Sequence, residues 1–143
     1  MEPDLKPRAL WLRSGLILLA TAGIVAGVWA LLAPQSFYDD FPGGGRSWVL
    51  AFPPYNEHLV RDVGALNLAL AILLGFAAIV LERRLIQAVS VAALVYAVPH
   101  FAFHLAHLEE LSTGDQVAQT VTLALAIAIP LVLLILATMR LRA

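Results

Sequence analysis

The sequence contains no cysteine, which excludes disulfide bonds, thiolate metal ligands and cysteine nucleophiles. Charged side chains are scarce: they make up 13% of the 143 residues, whereas a soluble domain has about a quarter. The formal net charge is −1 and no cluster of Lys and Arg stands out, so nucleic acid is not expected as a partner. The run Gly43-Gly44-Gly45 is not followed by Gly-Lys-Ser/Thr, which excludes a phosphate-binding loop of the Walker type.

What the sequence has instead is apolar residues: 61% are hydrophobic and the mean hydropathy is +0.85. Four apolar runs come close to the ~20 residues that a helix needs to cross a bilayer. They cover residues 10–32, 63–81, 85–107 and 117–139. The first run exceeds the roughly 7–15 apolar residues of a signal peptide, so we expect it to be retained as a helix. The sequence therefore predicts an all-α integral membrane protein with a single domain, a four-helix transmembrane bundle in the lipid bilayer.

The basic residues are divided unequally between the two ends of this predicted bundle. One end carries seven of the nine Lys and Arg residues, and the other carries only Arg46 and Arg61. By the positive-inside rule, the richer end faces the cytoplasm. We therefore expect a multi-pass protein of the cell membrane with both termini cytoplasmic. The seven residues are Lys6, Arg8, Arg13, Arg83, Arg84, Arg140 and Arg142.

Residues 33–55 form the long connection between the first two spans and are rich in aromatic residues, Pro and Gly. Trp48, Leu50 and Phe52 would be exposed to water together if this segment were extended. We therefore expect the segment to fold over the outer end of the bundle as an ordered cap. Asn56, directly after it, is a candidate N-cap of the second helix.

Three of the four histidines, His100, His104 and His107, lie near the end of the third apolar run, at spacings of four and three residues. On a helix these spacings place the three imidazoles within roughly 60° of one another. Ionisable groups inside a membrane are costly and usually functional. We therefore predict that this stripe belongs to a site. Asn67 and Gln119, polar residues of the other spans, are adequately explained by interhelical hydrogen bonds.

A second polar run, 56–62, begins the second helix and contains two pairs at the i, i+4 spacing: Glu57 with Arg61, and His58 with Asp62. At roughly 1.5 Å per residue, His100 lies about 24 Å along the third helix, and His104 and His107 lie about one and two turns higher, level with these pairs. Helices joined by a turn as short as residues 82–84 are neighbours. We therefore expect the two polar runs to meet at the outer end of the bundle.

Three uses fit such a cluster. His58, His100, His104, His107 and Glu110 are candidate ligands of a transition metal ion (Zn, Fe or Cu), and haem held by two histidines is a weaker option. Alternatively, Glu57, Arg61 and Asp62 are candidate catalytic residues of a metal-free acid–base enzyme that acts on a lipophilic substrate. Thirdly, the histidines could simply hydrogen-bond within the bundle.

The topology resembles that of the small four-helix bacterial membrane proteins of the DoxX-like type, with a short cytoplasmic turn and a long first outer loop. This resemblance covers the whole chain in topology and implies a redox-linked role by analogy. The favoured expectation is metal-dependent redox chemistry on a small or lipophilic substrate reached from the outer leaflet. The alternative is a non-enzymatic binding or accessory subunit with structural or pH-sensing histidines, which leaves a membrane-protein partner or a homo-oligomer open.

Overall fold

The computed structural model describes residues 5–139. Within these residues the chain forms helices α1 (Leu5–Leu32) and α2 (Pro34–Asp40), a two-residue antiparallel pair β1 (Pro42–Gly43) and β2 (Arg46–Ser47), and helices α3 (Glu57–Val80), α4 (Arg83–Leu105) and α5 (Thr113–Thr138). A single 3₁₀ turn, Leu108–Glu110, lies between α4 and α5. The predicted all-α architecture is confirmed, and α1, α3, α4 and α5 are each long and apolar enough to cross a membrane.

Helices α3, α4 and α5 begin at side-chain caps, which fix their first residues more accurately than the hydropathy of the sequence does. Asn56 is the N-cap of α3, as predicted, because its Oδ1 accepts a hydrogen bond of 3.1 Å from the Leu59 amide. This cap starts α3 six residues before the predicted span at residue 63. Glu82 Oε2 caps α4 by accepting a bond of 2.7 Å from the Leu85 amide, and Ser112 Oγ caps α5. Of the basic residues used to predict orientation, the Lys6 side chain, Arg140 and Arg142 lie outside what the structure describes.

The closest helix pair is α1 with α3, and it is made possible by glycine. A Cβ atom at Gly64 would lie 2.6 Å from the backbone nitrogen of Leu31, and one at Gly27 would lie 2.9 Å from the Gly64 carbonyl oxygen. The two backbones are therefore in direct contact, as small residues allow in membrane helix pairs. Helix α4 packs chiefly along α5, and α1 also contacts α5.

The two ends of the bundle differ in packing. The turn end, which holds the α3–α4 turn and the end of α5, contains the main apolar core. Here Arg13 Nε donates to the Ala78 carbonyl at 3.1 Å, and Arg8 donates to the carbonyls of Leu136 and Met139. These cations neutralise the carbonyl ends of α3 and α5. The core side chains are Leu12, Leu16, Ala20, Leu74, Ala77, Ala78, Ile86, Val89, Leu133 and Ala137.

The opposite loop end, where α1 finishes and α3 and α5 begin, is covered by the predicted cap. Helix α2 continues from α1 after a break at Ala33, and the β1–β2 hairpin follows, with Gly44 and Gly45 in left-handed conformations at its turn. Trp48 is buried beneath the hairpin, and its amide donates to the Phe41 carbonyl at 2.7 Å. Leu50 departs from the expectation, since it is 46% exposed.

Candidate functional site

A cavity of about 930 Å³ lies at the loop end beneath the cap. Ligand pockets typically measure about 300–1,000 Å³. All four long helices and the cap contribute to this loop-end cavity, and most of its lining is apolar. Representative wall residues are Ala30, Val63, Ala97, Leu123 and Ala126, and the roof includes Phe41, Trp48 and Phe52.

Two polar side chains, Gln119 of α5 and His104 of α4, are neighbours in the cavity wall. Gln119 is only 3% exposed and lies within hydrogen-bonding reach of the His104 imidazole. Because an imidazole N–H donates and an amide oxygen accepts, these two side chains satisfy each other across the two helices.

The imidazoles of His100 and His104 are held in an aromatic cluster on this wall. Tyr96 stacks on His100 with ring centroids 5.3 Å apart, and His100 meets His104 edge to face at 4.6 Å. Phe52 of the cap contacts His104 at 5.1 Å, also edge to face. These contacts fix the ring positions and join the cap to the cavity wall. The predicted stripe therefore faces the interior at two of its three positions.

His107 and Glu110 lie outside the cavity lining. Helix α4 ends at Leu105, two residues before His107. The helix ends here because a side chain takes the place of the backbone at one acceptor. His107 Nδ1 lies 2.8 Å from the Phe103 carbonyl oxygen. In a continuing helix, this oxygen would accept a hydrogen bond from the backbone amide of His107. The His107 ring stacks on Phe103 instead, and Glu110 is exposed in the 3₁₀ turn. His107, the predicted third member of the histidine stripe, therefore does not line the cavity.

The second polar run is also separate from the cavity. His58 and Asp62 pair at 3.4 Å, with the His58 side chain 87% exposed. Arg61 donates to Glu57 at 2.8 Å and to the Leu31 carbonyl, so it caps the C-terminal end of α1. These four side chains do not line the cavity. The acid–base interpretation therefore loses the carboxylates that were assigned to it.

The expectation that the two runs meet is wrong because a short turn makes helices neighbours only where it joins them. Leu81, in a left-handed conformation, and Glu82 form the connection between α3 and α4. Beyond it, the glycine contacts hold α3 against α1, whereas α4 follows α5. The space left between α3 and α4 at the loop end is part of the cavity.

The predicted metal site is not assembled from the proposed ligands. Among residues 5–139, no three His, Asp or Glu side chains lie close enough to hold one ion. His100 and His104 are the two candidate ligands that share the cavity. A catalytic zinc site typically uses three protein ligands, so this pair would need a further ligand from elsewhere. Metal binding itself stays a prediction, as does haem.

Two residues that tie the cap to α5, Asp115 and Arg46, were given no role in the site from the sequence. Asp115 Oδ1 accepts from Trp48 Nε1 at 2.9 Å and pairs with Arg46 at 3.2 Å. Gln119 was predicted to hydrogen-bond between helices, and His104 of α4 is its hydrogen-bonding neighbour. Nothing local could have identified the contact between Trp48 and Asp115, 67 residues apart.

A groove of about 240 Å³ adjoins the cavity between α3 and α4. It shares Val63, Asn67 and Tyr96 with the cavity and adds Leu66 and Leu70. Leu66 is 71% exposed, so the groove reaches the outward, lipid-facing surface of the bundle. The groove therefore opens at the outer surface of the bundle and is separated from the cavity by no more than the side chains that border both.

Comparison with known proteins gave no match to any family model, curated protein or solved structure. The resemblance to DoxX-like proteins thus rests on topology alone and stays a prediction.

Proposed function

We propose that the protein binds a lipophilic ligand in the loop-end cavity. The observation that carries this proposal is a large apolar cavity with a few polar side chains in its wall, among them His104 and Gln119. Apolar walls with a few placed polar groups are the usual composition of small-molecule sites. The walls would bind a hydrocarbon part, and the polar side chains would orient a head group.

The adjoining groove supports entry from the bilayer. Its side chains are those of Val63, Leu66, Leu70 and Tyr96, with one amide from Asn67. Asn67 Nδ2 already donates to the Val63 carbonyl at 2.9 Å, so this amide presents little barrier to a hydrocarbon chain. A ligand dissolved in the membrane would reach the cavity without crossing water.

We further propose that the protein lies in the cell membrane with the turn end in the cytoplasm. Arg8, Arg13, Arg83 and Arg84 lie at the turn end, whereas Arg46 and Arg61 lie at the loop end. The positive-inside rule favours this orientation. The cavity would then face the outer leaflet.

The proposal is tested by filling the cavity. Ala126 lines it, whereas Ala124, two residues earlier in α5, is exposed on the outer surface. Native mass spectrometry of protein released from detergent should show one retained lipid-sized ligand on the wild type and on Ala124→Phe. Ala126→Phe should lose it, because the added ring occupies the ligand's volume. Equal retention by both variants would show that the lipid binds the outer surface only.

Metal-dependent redox chemistry is the second candidate, and the adjacent rings of His100 and His104 favour it. Both rings line the loop-end cavity. Elemental analysis of the purified protein should then show a stoichiometric transition metal that His104→Ala removes without unfolding the bundle. A wild type without metal would exclude this candidate and leave the lipophilic-ligand proposal in place.

A further inference from the structure

We infer that the turn end of the bundle binds the head group of an anionic phospholipid in the adjacent leaflet, through the guanidinium groups of Arg8, Arg83 and Arg84. This binding surface is independent of the loop-end cavity, which lies at the opposite end of the helices. Three features carry the inference: the unequal pairing of arginines at the two ends, the convergence of two arginines on the end of α5, and exposed side chains at head-group depth.

The arginines at the two ends differ in how their charge is balanced. At the loop end, Arg46 pairs with Asp115 at 3.2 Å and Arg61 pairs with Glu57 at 2.8 Å. The part of the chain that the structure describes shows no ion pair between a turn-end arginine and a carboxylate. Four arginines lie there beside one described carboxylate, Glu82, which accepts hydrogen bonds from backbone amides at the start of α4. The described turn end therefore has an excess of positive charge.

Two of these arginines converge on the last turn of α5. Arg8 of α1 donates to the carbonyls of Leu136 and Met139. Arg83 of α4 donates to the Thr138 carbonyl at 3.3 Å. The C-terminal end of a helix is equivalent to about half a negative charge, so it offsets only part of these two positive charges. A guanidinium group has five N–H donors, and neighbouring arginines with donors to spare are well suited to bind a phosphate group.

Arg84 adds a third cation beside this pair. It follows Arg83 directly in the first turn of α4, and it is exposed. Among residues 5–139, its guanidinium group makes no ion pair, and the side-chain bond to α5 from this turn comes from Arg83. Its charge can therefore be removed without breaking a described ion pair or a bond to the end of α5.

Side chains beside the arginines fit the head-group and acyl regions of a lipid. Trp11 of α1 is 69% exposed and lies about 4.5 Å along the helix from Arg8. Exposed Trp side chains near the ends of membrane helices are typical of head-group depth. Ile135 and Met139, one turn apart at the end of α5, are also exposed and would contact an acyl chain. Basic sites between membrane helices at this depth bind anionic phospholipids.

The test compares two lipids that differ in head-group charge. Purified wild-type protein in detergent is titrated with dioleoyl phosphatidylglycerol and with dioleoyl phosphatidylcholine, and bound lipid is counted by native mass spectrometry. Each arginine near the membrane surface favours an anionic lipid about fivefold, so half-saturation should need about tenfold less phosphatidylglycerol, or less still. This preference should shrink at high ionic strength, because exposed charges are screened by salt.

Variants assign the preference to the turn end. Arg84→Gln should weaken phosphatidylglycerol binding about fivefold and leave phosphatidylcholine binding unchanged, whereas Arg84→Lys should keep most of the preference. Arg61→Gln is the matched control, because it removes one positive charge at the loop end. It should keep the preference, as should Ala126→Phe, whose substitution lies in the loop-end cavity.

Equal binding of the two lipids by the wild type would overturn the inference, and this comparison remains decisive if Arg84→Gln does not fold. An undiminished preference in Arg84→Gln would also overturn it. Loss of the preference in Arg61→Gln or in Ala126→Phe would contradict it as well, because the anionic lipid would then bind at the loop end or in the cavity.

Discussion

Gln119 shows how a polar side chain is accommodated inside an apolar span. Its amide is 3% exposed in α5 and lies within hydrogen-bonding reach of His104 in α4. The amide of Asn67 instead donates to a carbonyl of its own helix. Both amides are therefore accounted for within the bundle, and the ligand proposal rests on the size and apolar lining of the loop-end cavity.

Trp48 is predicted to hold the cap closed through its indole N–H. Trp48→Phe keeps most of the buried ring but removes the donor to Asp115, a bond of 2.9 Å. Loss of one hydrogen bond should weaken the closed cap by about 1 kcal/mol, which is about fivefold in the population of open cap. Tryptic cleavage after Arg46 should therefore accelerate about fivefold, since proteolysis follows the open population.

Trp11→Phe is the control for this measurement, because Trp11 is exposed near the turn end of the bundle. It should leave cleavage after Arg46 unchanged. Unaltered cleavage in Trp48→Phe would show that the indole hydrogen bond does not contribute to cap closure.

At the level of single residues, the sequence was informative wherever a neighbour in the chain supplies the interaction. Asn56 could be identified as a cap because its partner, the Leu59 amide, lies three residues away. The Arg61–Glu57 and His58–Asp62 pairs could be identified from the i, i+4 spacing. The contacts of Trp48 with Asp115 and of Phe52 with His104 join distant segments, so no local pattern predicts them.

Among the helices, the α1–α3 contact is expected to tolerate no added side chain. Gly64→Ala would place a methyl group 2.6 Å from the Leu31 backbone nitrogen, so the two helices must move apart. Overpacking of this kind costs about 1–3 kcal/mol of unfolding free energy. Reversible unfolding in mixed micelles, followed by tryptophan fluorescence, measures this loss.

Gly75→Ala is the matched control in the same helix. Its added Cβ would have its nearest atom, Ala20 Cβ, at 4.0 Å, an ordinary van der Waals contact. Because alanine favours a helix by up to about 1 kcal/mol over glycine, this variant should be neutral or slightly stabilising. A Gly64→Ala variant as stable as Gly75→Ala would contradict the close packing of α1 and α3.

The turn between α3 and α4 is predicted to be sensitive to acid through Glu82. Hydrogen bonds from the backbone amides of Arg84 and Leu85 hold the pKa of Glu82 below its usual 4.5. Because the folded-state pKa is lowered, the carboxylate stabilises the fold fully above pH 4.5, and this contribution is lost as the pH falls through the lowered value. Glu82→Gln should therefore be less stable than wild type at pH near 7, as measured by the unfolding midpoint.

The same comparison in acid provides the check on that prediction. Once Glu82 is protonated, the wild type carries no charge at this cap, so the difference between the two proteins should disappear. A difference that persists at low pH would mean that the carboxylate charge is not what stabilises the start of α4.

The sequence predicted the four spans, but it did not predict which of them pack together. Four spans were predicted because each is a long apolar run, and that property is local. Which helices pack together depends on the contact of Gly27 with Gly64, between α1 and α3. The short α3–α4 turn suggested the wrong neighbour at the loop end, and the candidate site was therefore assembled from the wrong partners.

For the whole molecule, the defining property is the contrast between a packed turn end and a hollow loop end. The main apolar core lies at the turn end, and the cap closes over a cavity at the loop end. A bundle without function would be more stable if the loop end were packed as well, because voids cost stability. This cost is the physical reason for our proposal that the cavity binds a ligand.

Orientation in the membrane is predicted at this same scale. A reporter fused after Ala143 should be cytoplasmic, and one inserted between Gly43 and Gly45 should be external, because most basic residues flank the turn end. The insertion point lies in open space, since a Cβ at Gly44 would meet no atom within 4 Å. Opposite labelling of the two fusions would place the cavity in the cytoplasmic leaflet.

The central claim, that the cavity holds a hydrocarbon chain, is tested most directly by NMR of deuterated, methyl-labelled protein in deuterated detergent, with the native ligand retained. The alanine methyl groups of Ala118 and Ala126 line the cavity. They should show nuclear Overhauser effects to protons of a bound alkyl chain, whereas the exposed Ala124 should show none. Cross-peaks from the Ala118 and Ala126 methyl groups to water alone would contradict the account, because they would show a hydrated cavity with no lipophilic ligand.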